Sequence, residues 1–480
     1  MSKAFYLTTT LPYVNAPLHL GHATEIVRAD TLARIKKLQG CDVFFNTGTD
    51  EHGAKIFESA QKVSQTPQEY TDFYANLFKE TLKKFGVLEE AEGLHLIRTT
   101  DEHHIKAAGE FWRRCEKNGF IYKKNYTAKY CVGCERERTE SELVDGKCPE
   151  HNRVPELIQE ENYFFTFSAF GEKLLKYYEE NPNFIVPSFR MNEMREFIKR
   201  GLEDFSISRL KSKMSWGVPV PNDDEHVMYV WFDALTNYIS TLGWPKTDGD
   251  FETYWVNGTP TQYCGKDNTR FQGVMWQAML MAADLPLTRQ IIVNGFILGE
   301  GGVKMSKTLG NTIDPLEIIE EYGTDALRYF VLREFHPFED TAVSKEKLLE
   351  SYNANLANGI GNLTSRIMKM AETHLEKPVT IEENTIPDEY WQIAETFDFK
   401  ALADLVWRHI GELDSIIQTK EPFRLIKTDK NEALKILEEL IKKLYTIGRM
   451  LSPLLPETSR KIKECIKANK MPETPLFLRK

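Results

Sequence analysis

Three apolar runs near the N-terminus, Ala4–Thr9, Asp42–Asn46 and Leu94–Arg98, read as strands separated by helical stretches. This alternation constrains the fold more than any other feature of the chain. In the stretch from Ala23 to Leu38, Leu32, Ile35 and Leu38 fall within one helical face. Parallel strands need long crossovers, so strands alternating with helices predict a parallel sheet covered by helices on both faces. Such sheets bind ligands beyond the carboxyl ends of their strands. Leu11–His22 and Thr47–Gly53 directly follow strand signals, so both are expected to line that crevice.

The alternation stops at about Glu116 and resumes with His226–Phe232, Thr261–Cys264 and Ile291–Leu298. Cysteines, prolines and charges interrupt the pattern in between, as an inserted domain would. Asp314-Pro315-Leu316 reads as a helix start. From Ser351 to about Ala468 the periodicity is helical, with Leu437, Leu440, Leu444, Ile447 and Leu451 three or four apart. Pro378, Pro387, Pro422, Pro453 and Pro456 cut this region into a bundle of several helices. At 480 residues the chain exceeds one core, and about two to four domains are expected.

The composition, 41% hydrophobic and 28% charged, is that of a globular protein. Apolar stretches such as Ile291-Ile292-Val293 are far short of a membrane span. The N-terminus lacks the basic start and long apolar core of a signal peptide, so no membrane association and a cytoplasmic location are expected. A net charge of −10 argues against non-specific coating of nucleic acid. It leaves room for binding through a local basic face.

Two short motifs carry chemistry. His19-Leu20-Gly21-His22 sits at a loop-to-helix junction, where free N–H groups and the helix dipole favour anions. Gly21 permits close approach to the backbone. Alone, this motif reads equally well as two polar residues capping a helix. Lys304-Met305-Ser306-Lys307-Thr308 follows Gly299, Gly301 and Gly302. Lysines there suit phosphate, although a lone pair at that spacing reads first as a solvated turn. Occurring in this order on one α/β chain, the motifs predict a nucleoside triphosphate gripped from two sides. That arrangement suits in-line attack on an α-phosphate, with preorganised donors stabilising the developing charge. No Walker-type loop is present.

Cys131-x-x-Cys134 and Cys148-x-x-His151, separated by a short polar loop, predict one structural Cys3His zinc site. Cys41, Cys115, Cys264 and Cys465 are scattered and read as buried free thiols.

H-x-G-H followed by K-M-S-K resembles the class I aminoacyl-tRNA synthetases. Finer matches point within them to the methionyl-tRNA synthetase family. They are Leu11-Pro12-Tyr13-Val14-Asn15, Thr49-Asp50-Glu51-His52-Gly53, Asp204-Phe205-Ser206-Ile207-Ser208-Arg209, Trp216-Gly217-Val218-Pro219, Trp231-Phe232-Asp233-Ala234-Leu235-Thr236-Asn237-Tyr238 and Gly265-Lys266-Asp267. The resemblance runs from about Phe5 to the C-terminus. It implies a Rossmann-like catalytic domain in two halves, 1–115 and 226–298, around an inserted zinc-binding connective domain at 116–225. A stem-contact region with the lysine loop, 299–350, and an all-α anticodon-binding domain, 351–480, follow.

The implied activity is methionine–tRNA ligation: L-methionine and Mg-ATP give methionyl-adenylate and pyrophosphate, and tRNA-Met accepts the methionyl group at its 3′ adenosine. Carried over residue by residue, His19, His22, Lys304 and Lys307 resemble the catalytic set. Gly21, Glu25, Asp30, Arg209, Lys266 and Asp267, with Lys307, resemble nucleotide-site positions. Helix-surface carboxylates are the simpler reading of Glu25 and Asp30. Asp50 resembles the carboxylate that holds the substrate ammonium. Leu11, Tyr13, Trp231, Ala234, Leu235 and Tyr238 resemble the methionine pocket, and Trp276 its packing support. Asn362, Arg366 and Phe423 stand where the family reads the anticodon.

The chain departs from the family pattern at Asn268 and Gln272 on the pocket floor, where an isoleucine and a histidine are usual. Thr308 replaces a serine, and Phe423 replaces a tryptophan. The rival readings are a synthetase for another apolar amino acid, a non-catalytic tRNA-binding paralogue, or another nucleotidyltransferase of the same fold. The 116–225 insert looks too small for an editing domain, and both ATP motifs are intact. The chain ends at Lys480 soon after the bundle, without the appended dimerising module of some relatives, so a monomer is expected.

Overall fold

The computed structural model describes residues 3–134, 136–303, 313–381 and 386–480. The chain packs as two compact units. The first comprises Met1–Pro17, Gly40–Thr81 and Glu89–Val293; the second comprises Leu18–Gln39, Leu82–Leu88 and Asn294–Lys480.

A six-stranded sheet organises the first unit, in the order Leu94–Arg98, Asp42–Thr49, Ala4–Thr9, Thr259–Gly265, Gln290–Asn294, Ile185–Val186. Ala4–Thr9 runs parallel to both its neighbours, with Tyr6 opposite Phe44 on one side and Pro260 on the other. The strand order reverses between Ala4–Thr9 and Thr259–Gly265. Leu11–Tyr13 and Lys266–Asn268 therefore leave the carboxyl ends of adjacent strands, where α/β sheets take ligands. The strands are buried almost throughout, as a covered parallel sheet requires. Tyr6, Phe44 and Ile291 share one apolar core with Phe111 and Trp112 of helix Glu102–Lys117 and Met279 of helix Trp276–Ala282.

The interrupted region forms two small antiparallel sheets. One pairs Ile121–Cys131 with Glu156–Phe165, flanked by Arg136–Arg138 and Phe205–Ser206; the other joins Pro219–Val220, Asp223–Met228 and Ser208–Leu210. Two strand expectations need correction. The apolar run His226–Phe232 does not return to the central sheet: its strand ends at Met228, pairs antiparallel with Ser208–Leu210, and gives way to a helix at Val230. Ile291–Leu298 is two strands, since Gln290–Asn294 stops and Ile297–Leu298 pairs with Thr341–Ala342. The sixth central strand, Ile185–Val186, comes from inside the interrupted region.

In the second unit, helix Leu20–Leu38 is fastened by Arg28, whose guanidinium donates to the carbonyls of Val331, Phe335, His336 and Pro337 at 2.9–3.2 Å. Asp314 caps helix Pro315–Tyr322 by accepting from the Leu316 N–H at 2.8 Å, as its sequence predicts. Helices Asn362–His374, Phe399–Lys420, Lys430–Leu451 and Pro456–Ala468 form the bundle. Leu437, Leu440, Leu444, Ile447 and Leu451 are all buried in it. Pro422 and Pro456 stand in first helical turns, where a missing N–H costs nothing. Among the described residues no helix is long and apolar enough to cross a membrane.

Candidate functional site

The Leu11–Val14 segment is laced to the end of strand Asp42–Thr49. Tyr13 and Asp50 form a parallel bridge: Asp50 N–H donates to the Pro12 carbonyl at 3.1 Å and Val14 N–H to the Asp50 carbonyl at 3.3 Å. A carboxylate that is 3% exposed and an aromatic ring thus share one short stretch of the crevice. Trp231 stands edge-on to Tyr13, with centroids 6.5 Å apart, and lies flat on Phe271 at 3.8 Å. Its indole Nε1 has no hydrogen-bond partner among the described residues.

Ala234, Leu235 and Tyr238 are buried on the same run of two short helices. Tyr6 donates to the Tyr238 carbonyl at 2.8 Å and Asn46 donates to the Asn237 amide oxygen at 3.2 Å, so the sheet itself sets this run. Asn268 closes the turn after Thr259–Gly265, its N–H bonded to the Gly265 carbonyl at 3.0 Å. Gln272 lies on a π-helical turn, Phe271–Met275. Its amide donates to Thr10 at 2.9 Å, beside Leu11, and its buried Oε1 has no partner among the described residues. Trp276 is wholly buried against Phe111, Tyr238 and Trp255 and acts as packing.

Sequence reasoning missed several residues here. Phe271 is one, although an aromatic beside the departures at Asn268 and Gln272 was a usable signal. Asp233 is another: it is fully buried between His52 at 2.7 Å and His104 at 2.8 Å. Burial works against its charge, but the two imidazoles outweigh that and hold its pKa down to about 2. Glu51, equally buried, receives both arms of the Arg98 guanidinium at 2.7 and 2.9 Å and anchors the Asp50 loop from the other side.

Of the two nucleotide motifs, the first falls among the described residues. His19 caps helix Leu20–Leu38, its Nδ1 accepting from the N–H groups of Gly21 and His22; His22 Nδ1 accepts from the His19 N–H. An imidazole that accepts at Nδ1 carries its proton at Nε2. Both rings are therefore Nε2–H donors, stacked at 3.7 Å. The capping and donor readings are thus compatible. A Cβ on Gly21 would stand 2.9 Å from the His19 ring, so any larger residue there displaces that ring.

Glu25 is half-buried one turn on. Asp30 is no helix-surface carboxylate: it is fully buried and engaged by Arg34, Arg328 and the Leu88 N–H. Internal ion pairing accounts for this residue. Lys266 is half-buried and Asp267 exposed, immediately after strand Thr259–Gly265. The Arg209 guanidinium lies between the faces of Tyr130 and Tyr229, at 4.7 and 4.8 Å, and donates to Ser206 and the Ser208 carbonyl. Lys304, Lys307 and Thr308 lie outside the described residues.

Cys131, Cys134, Cys148 and His151 converge, with their ligand atoms all within 4.8 Å of one another. The Cys134 sulfur is 3.4 Å from that of Cys148 and 3.2 Å from His151 Nδ1, too far for covalent bonding and close to the edges of a metal tetrahedron. A Cβ on Gly133 would meet the His151 ring at 2.6 Å, so glycine is what lets this knuckle close. Arg138 donates to the Cys134 sulfur at 2.7 Å and to Glu150 at 2.8 Å, an outer contact that suits a thiolate cluster.

In the bundle, Arg366 and Phe423 line one concavity of about 550 Å³ with Ile417 and Met471. Asn362 is exposed one helical turn before Arg366, at the start of helix Asn362–His374. Arg366 is held by Asp414 at 2.5 Å.

A family model described as "tRNA synthetases class I (M)" matches residues 5–154 and 141–368. The methionine--tRNA ligase of Caldanaerobacter subterraneus is 41% identical, over 97% of this chain and 74% of its own length. That of Brucella melitensis is 39% identical, over 97% of this chain and 92% of its own length. The chain belongs to the class I methionyl-tRNA synthetase family. Mycobacterium tuberculosis methionyl-tRNA synthetase, solved in complex with methionyl-adenylate, superposes with a TM-score of 0.90 at 35% identity, covering 96% of this chain and 93% of that one. Asn268 and Gln272, the two positions where this methionyl-tRNA synthetase leaves the expected family pattern, both fall on one short segment between Gly265 and Met275.

Proposed function

We propose that this methionyl-tRNA synthetase binds L-methionine at the end of the central sheet, with Asp50 receiving the ammonium group and Tyr13, Trp231 and Phe271 enclosing the thioether. A polarizable sulfur among aromatic faces is a favourable contact. Leu11 holds the substrate backbone, and Ala234, Leu235, Tyr238, Asn268 and Gln272 complete the pocket. The methionine carboxylate attacks the α-phosphorus of Mg-ATP and pyrophosphate leaves; a hydroxyl of the terminal adenosine of tRNA-Met then attacks the adenylate carbonyl and AMP leaves. His19 and His22 donate from Nε2 to the phosphoryl oxygens, and Lys304 and Lys307 neutralise the departing pyrophosphate. Gly21, Glu25, Lys266 and Asp267 serve the nucleotide, and Arg209 the phosphates. Cys131, Cys134, Cys148 and His151 hold one structural zinc ion.

The observation that carries this reading is the Tyr13–Asp50 bridge, which sets a buried carboxylate beside the aromatic wall. Pyrophosphate exchange with each apolar amino acid in turn tests it. Methionine is expected to support exchange far better than isoleucine, leucine or valine. Asp50→Asn is expected to raise the methionine KM roughly ten- to hundredfold, the worth of a hydrogen bond to a charged group, without changing the KM for ATP. Absence of methionine-dependent exchange overturns the reading.

A further inference from the structure

His52, Asp233, His104 and Ser240 form an unbroken buried chain. His52 Nδ1 is 2.7 Å from one Asp233 oxygen, His104 Nε2 is 2.8 Å from the other, and Ser240 Oγ is 2.8 Å from His104 Nδ1. Their exposures are 4%, 0%, 0% and 0%. A carboxylate only accepts, so both imidazoles turn an N–H to it, and the Ser240 hydroxyl is hydrogen-bonded to the remaining His104 nitrogen. The chain joins three separate pieces of the first unit: the loop after strand Asp42–Thr49, helix Glu102–Lys117 and the run from Val230 to Ser240.

Stability alone is a weak reason to bury such a charge, because apolar replacements of buried ion pairs are often neutral or better. Its position gives a stronger reason. His52 stands two residues after Asp50, and Asp233 two residues after Trp231. The Asp50 loop turns at Gly53, whose φ is 108°, and is also held by the Tyr13 bridge at Asp50, by Glu51 and by Trp216, which donates from Nε1 to the Glu51 carbonyl at 2.5 Å. Through His52, Asp233 ties this loop to the run that carries Trp231. A ligand that places an ammonium at Asp50 and an apolar chain at Trp231 needs those two groups at one fixed separation.

We infer that Asp233 is a positioning residue that, through His52, holds Asp50 and Trp231 in register for the amino acid. This rests on the site reading proposed above. The test is pyrophosphate exchange by the full chain carrying Asp233→Ala, Asp233→Asn, His52→Asn or Asp50→Asn. Asparagine can accept from one imidazole and donate to the other after a tautomer change, so it keeps the bridge. Asp233→Ala and His52→Asn are expected to raise the methionine KM about tenfold or more, with the ATP KM unchanged. Asp233→Asn is expected to restore most of the loss. If Asp233→Ala does not fold, His52→Asn carries the same test. A fall in kcat with the methionine KM unaltered, or no rescue by asparagine, overturns the inference while the site reading stands. An unaltered methionine KM in Asp50→Asn overturns the site reading and this inference with it.

Discussion

Asp30 and Arg328 face each other at 2.7 Å with neither side chain reached by solvent. Arg34 and the Leu88 N–H engage the same carboxylate at 2.8 Å each, and Arg328 goes on to the carbonyls of Pro453 and Leu454. Burial works against the Asp30 charge, but Arg34 and Arg328 outweigh it and hold its pKa below the ordinary carboxylate value. Burial also weighs on the Arg328 charge, yet a guanidinium keeps its proton in proteins, so the pair is ionic. A carboxylate whose folded pKa is depressed gives stability above its unfolded pKa and loses it as pH falls through the folded value. Asp30→Ala is therefore expected to lower the unfolding free energy by about 3–5 kcal/mol at neutral pH, the cost of stranding a buried partner. Part of the acid-induced loss below about pH 4 is expected to disappear as well. Urea unfolding at neutral and acid pH measures both, and a neutral-pH change under about 1 kcal/mol contradicts the pairing.

Trp231 and Phe271 stack with only 6° between their planes. Phe271→Leu keeps an apolar side chain but removes the stacked face, so Trp231 is less constrained. An aromatic pair contributes about 0.5–1.5 kcal/mol beyond its buried area. The methionine KM in pyrophosphate exchange is expected to rise roughly two- to tenfold on that scale, with the ATP KM unaltered. An equal rise in both would place Phe271 outside the pocket wall.

The site was legible wherever its signal was local. Cys131, Cys134, Cys148 and His151 fall at ligand spacing within one hairpin region, so the cluster could be read directly. Ala4–Thr9 and Leu94–Arg98 are apolar runs bounded by helical periodicity, and both are strands. His226–Phe232 misled because a short apolar run does not distinguish a strand from the start of a buried helix, and Val230 begins one. Ile185–Val186 is too short to carry a period; only its register with Ile291 makes it a strand. Asp233 meets partners 181 and 129 residues away, and no spacing encodes such a meeting. Asp30 looked like a surface carboxylate because Arg328, which neutralises it, lies far along the chain.

The knuckle makes a compositional prediction. Protein purified without added metal is expected to hold about one zinc per chain, and chelation is expected to lower its thermal midpoint. Gly133→Ala keeps all four ligands but pushes a methyl group into the His151 ring, which lies 2.6 Å from that position. Its zinc content is expected to fall well below that of the parent. Elemental analysis after gel filtration decides the matter: stoichiometric zinc in Gly133→Ala would contradict the geometry.

Phe423 makes the last prediction. The residue is 43% exposed, and it lines a concavity with Arg366 and Met471. Stacking one unpaired base on an aromatic ring is worth about 1–3 kcal/mol. Phe423→Ala is therefore expected to reduce kcat/KM for methionylation of tRNA-Met roughly five- to hundredfold on that scale. Methionine-dependent pyrophosphate exchange, which needs no tRNA, should stay at the parental rate. Phe423→Trp restores an aromatic face with an added N–H, and is expected to charge tRNA at least as well as the parent. The two assays run on one preparation separate the possibilities. Loss of both activities would mean a folding defect, and loss of neither would overturn the expectation that Phe423 stacks on a base of the tRNA.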